Sequence, residues 1–592
     1  MIARDVRAAA RRRRLLGLAA VLAVACARGT DDGAAPRADS PVASTPAPAP
    51  LARRAAVEAP HGMVVSASAI ASQAGRDVLA AGGNAVDAAV ATGLALAVTY
   101  PVAGNIGGGG FMVIRMPDGR ATTIDFREVA PQAATPEMFL DSTGAYSARV
   151  HHDGHRAVGV PGTVAGFALA HGKYGRRAWR ELVEPAVRLA GDGFDVPPGL
   201  ARSLAGLLPY VREVPATVAA YSRGGQPYAA GERLRQPDLA RTLARIRDQG
   251  RDGFYRGETA RLLATEMRRG GGLITEADLA RYTAKERAPV RGTYRGYEVI
   301  SMPPPSSGGV ALVEMLNVLE GYDLAAAGRD SARYVHLLVE TMRRAFLDRA
   351  RHLGDPDFVQ PPVARLTSKP YAARLRATIA ADRATPSAVA DVAPALESPQ
   401  TTHYSVVDSS GMAVSVTYTL ERSYGLGVVV PGAGFLLNNE MGDFNGKPGL
   451  TDTTGLIGTA PNVARPGKRM LSSMTPTILA RDGRVVAVVG SPGGRTIINT
   501  VLQVVLNLVD FGMGVDDAVY APRLHHQWLP DVVEVERGGL PPATVTALRA
   551  MGHRVQFGDE QGTAHSIVVD ARTGVRRGAA DPRDPDAGAA GH

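Results

Sequence analysis

Apolar positions follow a helical rhythm through much of the first 400 residues and an alternating one through much of the remainder. Ala67–Thr99 is rich in Ala, Val and Leu and is interrupted by Gly82-Gly83-Asn84, which predicts two helices joined by a glycine C-cap and turn. A glycine-rich stretch, Gly104–Gly110, runs into a strand-like Phe111–Arg115. Residues 160–290 read as mostly helical, with arginine-rich exposed faces. Pro303–Gly309 (PPPSSGG) predicts a rigid loop before a helix from about 310, and Asp330 a cap for another over 331–350. Residues 375–399, rich in Ala, Thr, Pro and Asp, predict an exposed, mobile segment suited to chain cleavage.

After 400 the pattern turns to strands. Tyr404–Val407 alternates, Asp408–Gly411 reads as a hairpin turn, and Met412–Leu420 as the second strand. Further strands are expected at 427–437, 474–480, 484–490, 531–536 and 566–570, with helices at 495–511 and 541–551. Strands and helices in both zones predict a layered α/β or α+β body.

The N-terminus has a different character. Arg11–Arg14 precede an apolar run, Leu15–Ala25, too short for the roughly 20 residues that span a bilayer. With Ala23-Val24-Ala25 at its end, it reads as an export signal over residues 1–25. Leu22–Cys26 also resembles a bacterial lipobox, although Ala23 stands where leucine is usual. Cys26 is then the lipidated residue of an exported, periplasmic or membrane-anchored lipoprotein. Ordinary secretory cleavage at nearly the same bond is the alternative. Residues 26–58 lack apolar periodicity and read as a disordered linker.

Composition narrows the function classes. With 45% hydrophobic and 21% charged residues, the 592-residue chain is globular rather than disordered or fibrous. The net charge of +9 comes almost entirely from arginines scattered among acids. No basic stripe interleaved with aromatics points to nucleic acid. The single cysteine excludes an internal disulfide framework and any cysteine-based metal site. His151, His152 and His155 read as a loop of surface histidines rather than as metal ligands. The glycine stretch fails G-x-G-x-x-G, because Met112 stands where the last glycine belongs. It reads instead as packing beneath a site. No cofactor or metal is expected.

Chemistry concentrates at and after 401. Thr401 follows Gln400 and opens a strand. A threonine there is either an ordinary strand residue or, if the chain is cut before it, a nucleophile whose own α-amine acts as base. The free α-amine titrates at about 7.7–8.0, so part of it is neutral at physiological pH. Ser491-Pro492-Gly493-Gly494 precedes a predicted helix and offers backbone N–H groups for an oxyanion, or is a plain strand-to-helix turn. Ser472 and Ser473 supply adjacent hydroxyls for a carboxylate or a turn. Glu440 and Asp443 supply two acids for an ammonium group, or a solvated loop. Arg127 offers a bidentate carboxylate clamp, or a structural ion pair.

In this order, GGNAVDA (82–88), GGGGF (107–111), DFRE (125–128), PPPSSGG (303–309), TTHYSVVD (401–408), LNNEMGDF (437–444), LSSMTP (471–476), GSPGG (490–494) and DPR (581–583) carry a resemblance to the γ-glutamyltransferases, or glutathione hydrolases. It runs from about residue 60 to 583. The resemblance implies an N-terminal-nucleophile hydrolase with a four-layer αββα sandwich. It implies self-cleavage between Gln400 and Thr401 into a large chain (59–400) and a small chain (401–592) that stay together as a heterodimer. Thr401 is then the nucleophile, Thr419 its hydrogen-bonding partner, and Gly493 and Gly494 the oxyanion hole. Arg127, Ser472 and Ser473 hold the substrate α-carboxylate; Glu421, Glu440 and Asp443 hold its α-ammonium.

The implied substrates are glutathione and other γ-glutamyl compounds, with water, an amino acid or a dipeptide as acceptor. Glu421 and Glu440 depart from members that carry an amide there. Lys447–Pro461 resembles the lid of bacterial members, with Thr454 where some have tyrosine. A glutaryl (cephalosporin) acylase, a poly-γ-glutamate enzyme and an inactive surface-binding lipoprotein are the competing expectations.

Overall fold

The computed structural model describes residues 51–389, 401–450, 452–453 and 458–592. The signal sequence, Cys26, most of the expected linker, Gln400 and Thr454 lie outside these residues.

Two seven-stranded sheets form the body. The first runs Gly588–Gly591, Met63–Ser66, Thr402–Val407, Ala413–Thr419, Gly109–Arg115, Ala121–Asp125, Lys285–Arg287. The second runs Val57–Ala59, Arg576–Ala579, Ser566–Val569, Arg484–Val489, Thr477–Arg481, Tyr297–Ser301, Val290–Tyr294. Neighbours within both sheets are antiparallel.

The pleat of the first sheet divides its side chains between two cores. Val64, Met112, Ile114, Val406, Val414 and Val416 pack with helices that include Ala69–Ala80, Ala85–Thr99 and Thr163–Tyr174. Met63, Val65, Phe111, Val113, Val407 and Ala413 face the second sheet, in a core shared with helices Gly308–Leu319, Ala332–His352 and Thr496–Val509. The layers are therefore helix, sheet, sheet, helix: the αββα sandwich. Because both faces of the first sheet are covered, its strands Thr402–Val407 and Ala413–Thr419 are buried throughout.

Helix Ala85–Thr99 shows how local sequence serves this layering. Every residue in it is buried, as suits a helix that is apolar all round. Asn84 and Asp87 form its capping box, with Asn84 Oδ1 accepting from the Val86 and Asp87 N–H groups at 3.0 Å. Asp408, in the hairpin turn, accepts from Ala85 N–H at 2.9 Å. The turn after the Thr401 strand is thus bonded to the start of this helix.

Several sequence expectations are corrected. The strand expected at 427–437 is only an isolated Val429–Leu436 bridge. Gly425, Gly427, Gly432 and Gly434 all take positive φ, which turns the chain instead of extending it. Helix Ala332–His352 is capped by Ser331, whose Oγ accepts from Tyr334 N–H at 3.1 Å, while Asp330 pairs with Arg329. The linker ends earlier than 58, because Val57–Ala59 is a strand and Arg54 donates to the Ala587 carbonyl at 2.9 Å. His151 and His152 are buried rather than on the surface, and His151 packs 4.0 Å from Phe139 between ring centroids. The segment expected to be mobile begins inside helix Lys369–Ala377. Up to residue 389 it continues as a tethered stretch in which Thr385 N–H donates to Glu340 at 3.0 Å and Ser387 N–H to Asp531 at 2.9 Å, and 390–399 lie outside the described residues. Among the described residues no helix is long and apolar enough to cross a membrane.

Candidate active site

Thr401 stands at the head of the strand Thr402–Val407, deep in the sandwich and 6% exposed. The strand pairs Thr402 with Tyr418, so the register continued by one residue sets Thr401 against Thr419. Both line a cavity shared with Arg127, Glu421, Glu440, Asp443, Ser472, Ser473 and Gly494. The structure thus gathers residues up to 370 positions apart in sequence (Arg127 to Ile497) around one hydroxyl.

The glycine stretch explains how Thr419 is held. A Cβ on Gly108 would meet the Thr419 carbonyl oxygen at 2.0 Å, and one on Gly110 the Thr417 carbonyl oxygen at 2.4 Å. Such distances leave no space for a side chain, so glycine is required for the backbones to approach. Asn105 bonds across the gap: its Nδ2 donates to the Thr419 carbonyl at 2.9 Å and its Oδ1 accepts from Gly108 N–H at 2.9 Å. Asn438 does the same for the acidic loop. Its Nδ2 donates to the Gly107 and Gly159 carbonyls at 2.8 Å, and its Oδ1 accepts from Glu440 N–H at 3.0 Å. Sequence reasoning missed both asparagines; their place inside the GNIGGGG and LNNE motifs was the available signal.

Glu421 sits just past the strand at φ 79°, a conformation rare for a residue with a side chain. Its N–H donates to Thr419 Oγ1 at 2.9 Å, and Asn439 Nδ2 donates to its Oε2. Burial pushes its carboxyl above the usual range, with His152 opposing. Glu440 is likewise pushed well up by burial, with Arg127 opposing.

Arg127 is fully buried and bonds both acids: Nη1 to Glu440 Oε1 and Nη2 to Asp443 Oδ2. Burial works against its charge, but Glu440, Asp443 and Glu128 outweigh that and push its pKa up. Sequence reasoning assigned the cation and the acids to two different groups of a substrate, its α-carboxylate and its α-ammonium. In the structure they hold one another. The cavity is accordingly small, about 20 Å³, enough for roughly one water. A zwitterionic ligand would replace these pairs in kind, its carboxylate taking the arginine and its ammonium the acids.

Gly494 reaches the cavity, at φ 56°. Gly493, at φ 128°, lies behind it, where a Cβ would meet Thr496 Oγ1 at 2.4 Å. Helix Thr496–Val509 begins directly after them, and the Thr496 and Ile497 N–H groups donate back to the Gly493 and Gly494 carbonyls at 3.1 Å, so the turn is closed onto the start of the helix beside the cavity. A groove of about 850 Å³ between helices Ala69–Ala80 and Trp179–Gly191 is much larger, yet its lining includes none of the site residues assembled around Thr401.

Glu128 is the least satisfied acid. It is fully buried, 3.9 Å from Arg127 Nη1, and neither oxygen has a hydrogen-bond partner among the described residues. Burial pushes its carboxyl up to about 8, with Arg127 opposing. The folded protein therefore favours the protonated form. That contribution to stability is present below the ordinary value near 4.3 and is lost as pH rises through about 8. Thermal melts are expected to show Tm falling over that interval, and Glu128→Gln to flatten part of the slope.

A second polar cluster was not legible from spacing. His336, Glu340 and His553 bring their ligating atoms within 4.8 Å of one another. Glu340 already accepts from Arg344 at 2.7 Å, from Thr385 N–H and Oγ1 at 3.0 and 2.6 Å, and from Arg343 at 3.3 Å. His336 Nδ1 and His553 Nε2 lie 2.8 Å apart. With its carboxylate saturated and two guanidiniums adjacent, the cluster reads as a hydrogen-bonded tie between helix Ala332–His352 and the chain around 385 and 553.

A hydroxyl at the head of a central strand in an αββα sandwich, facing a glycine turn at a helix N-terminus, defines an N-terminal-nucleophile hydrolase. Within that class, a family model described as Gamma-glutamyltranspeptidase matches residues 71–591, and the chain belongs to that family. It is 48% identical over 543 residues to a glutathione hydrolase proenzyme of Escherichia coli (strain K12), covering 90% of this chain and 93% of that one. It is 41% identical over 502 residues to the Acylase ACY 1 proenzyme of Pseudomonas sp. (strain SE83), covering 84% and 87%. Among solved structures, a cephalosporin acylase from Bacillus halodurans superposes with a TM-score of 0.81 at 29% identity, covering 93% of this chain and 98% of that one.

Proposed function

We propose that the chain cleaves itself before Thr401 and then transfers γ-glutamyl groups from glutathione and related compounds to water, an amino acid or a dipeptide. The observation that carries this reading is one cavity lined by Thr401, by an arginine and two serines of a kind to hold a carboxylate (Arg127, Ser472, Ser473), and by three acids of a kind to hold an ammonium (Glu421, Glu440, Asp443).

In the precursor the Thr401 hydroxyl attacks the Gln400 carbonyl, and an N-to-O shift followed by hydrolysis frees the Thr401 amine. In turnover that amine takes the hydroxyl proton while Oγ adds to the γ-carbonyl. The Gly493-Gly494 turn receives the oxyanion. The amide C–N bond then breaks, the proton passes to the leaving amine, and a γ-glutamyl ester remains on Thr401. Water or an acceptor amine attacks the ester carbonyl, and Oγ regains its proton. Three acids beside the nucleophile favour a substrate with an α-amine over a glutaryl group, which has none.

Purified protein is expected to hydrolyse γ-glutamyl-p-nitroanilide, to release p-nitroaniline faster with glycylglycine present, and to leave glutaryl-p-nitroanilide nearly untouched. Preference for the glutaryl compound would favour the acylase reading. Export by the residue 1–25 signal and a lipid on Cys26 complete the proposal, supported by the Arg11–Cys26 pattern. Membrane fractionation beside Cys26→Ser separates an anchored from a plainly secreted protein.

A further inference from the structure

The Pro303–Gly309 motif lies against the Ser472-Ser473 segment, and Arg349 joins the two. Ser306 and Ser472 form a parallel bridge. Ser472 N–H donates to the Pro305 carbonyl at 3.0 Å, and Ser307 N–H to the Ser472 carbonyl at 2.7 Å. Ser307 Oγ gives its one proton to the same carbonyl at 2.6 Å. Its lone pairs then accept Arg349 Nε–H at 2.8 Å. Arg349 Nη2–H continues to Ser473 Oγ at 3.2 Å. Arg349 comes from the last turn of helix Ala332–His352, is 3% exposed, and is not among the described residues that line the cavity.

The direction of each bond follows from donor inventory. A guanidinium only donates, so Ser473 Oγ accepts from Arg349 and its single O–H points elsewhere. Ser472 Oγ likewise accepts, from Met474 N–H at 3.1 Å. Both serines line the cavity beside Arg127 and Thr401. A seat made of two hydroxyl donors and a guanidinium suits an anion.

We propose that Arg349 is a positioning residue for the reaction, fixing Ser473 and, through Ser307, the Ser472 backbone so that the serine pair donates to the substrate's α-carboxylate. This rests on the reading that the serine side of the cavity receives that carboxylate. The bonds from Arg349 to Ser307 and Ser473 make substrates that carry the group the ones that lose most when it is removed.

The test compares γ-glutamyl-p-nitroanilide with 4-aminobutyryl-p-nitroanilide, the same acyl group without its α-carboxylate, on fully processed enzyme. Arg349→Gln and Ser307→Ala are each expected to raise KM for the γ-glutamyl compound about tenfold, with kcat within about twofold. Neither should change kcat/KM for the 4-aminobutyryl compound, and Arg349→Lys should recover part of the loss. Equal losses on both substrates, or an unchanged KM, would overturn the proposal. Ser307→Ala carries the test if Arg349→Gln does not fold. Arg127→Gln is measured alongside. If it too fails to discriminate between the anilides, the carboxylate seat itself is wrong; if it alone discriminates, only the role of Arg349 falls.

Discussion

Thr401→Ala is expected to leave one uncut chain and to lower γ-glutamyl-p-nitroanilide hydrolysis by about 10⁴-fold or more. Both effects have one cause. In the proposed mechanism the hydroxyl is the attacking atom in self-cleavage and again in turnover, and no other described hydroxyl replaces it. Thr419 lies across the ladder, but it accepts the Glu421 N–H and sits inside the chain, without an α-amine of its own. Thr401→Ser keeps Oγ and is expected to retain cleavage and slower turnover. Intact mass and anilide release from the same preparations check both statements. An alanine variant that still yields a chain beginning at residue 401 would remove Thr401 from the mechanism.

Arg127→Gln is the second large effect, with two parts. Removing the guanidinium strands Glu440 and Asp443, which it bonds directly, and Glu128, 3.9 Å away. Breaking a buried pair from one side destabilises by about 3–5 kcal/mol, offset here as the acids take up protons. In the proposed binding mode the substrate carboxylate also loses its bidentate partner, for an expected fall of about 10³-fold in kcat/KM. Arg127→Lys keeps the charge but not the fork, and is expected to recover little activity. Thermal melts and steady-state kinetics separate the two parts. Unchanged kcat/KM in Arg127→Gln would mean that substrate binds elsewhere.

Local pattern made the hairpin around Thr401 legible. Alternation over 404–407 and 412–420 with Asp408–Gly411 between them matches strands Thr402–Val407 and Ala413–Thr419. Gly82-Gly83-Asn84 likewise marks the break between helices Ala69–Ala80 and Ala85–Thr99. Pattern failed at 427–437, where apolar residues read as a strand but three glycines in left-handed conformations, Gly427, Gly432 and Gly434, decide the path. The motifs supplied the membership of the site and not its wiring. Arg127 and Glu440 are 313 residues apart, and nothing local says that they bond. Asn105, Asn438 and Arg349 escaped for the same reason: each acts on a backbone or hydroxyl brought near it only by the fold.

The central claim is that Thr401 is the nucleophile, and covalent labelling reaches it most directly. Processed enzyme would be inactivated with a diazoketone analogue of glutamine, digested, and mapped by peptide mass. The account predicts one label per molecule, on the peptide that begins with Thr401, in step with lost activity and suppressed by a γ-glutamyl substrate. Inactivation with the label on another residue, or with Thr401 unmodified, would contradict it.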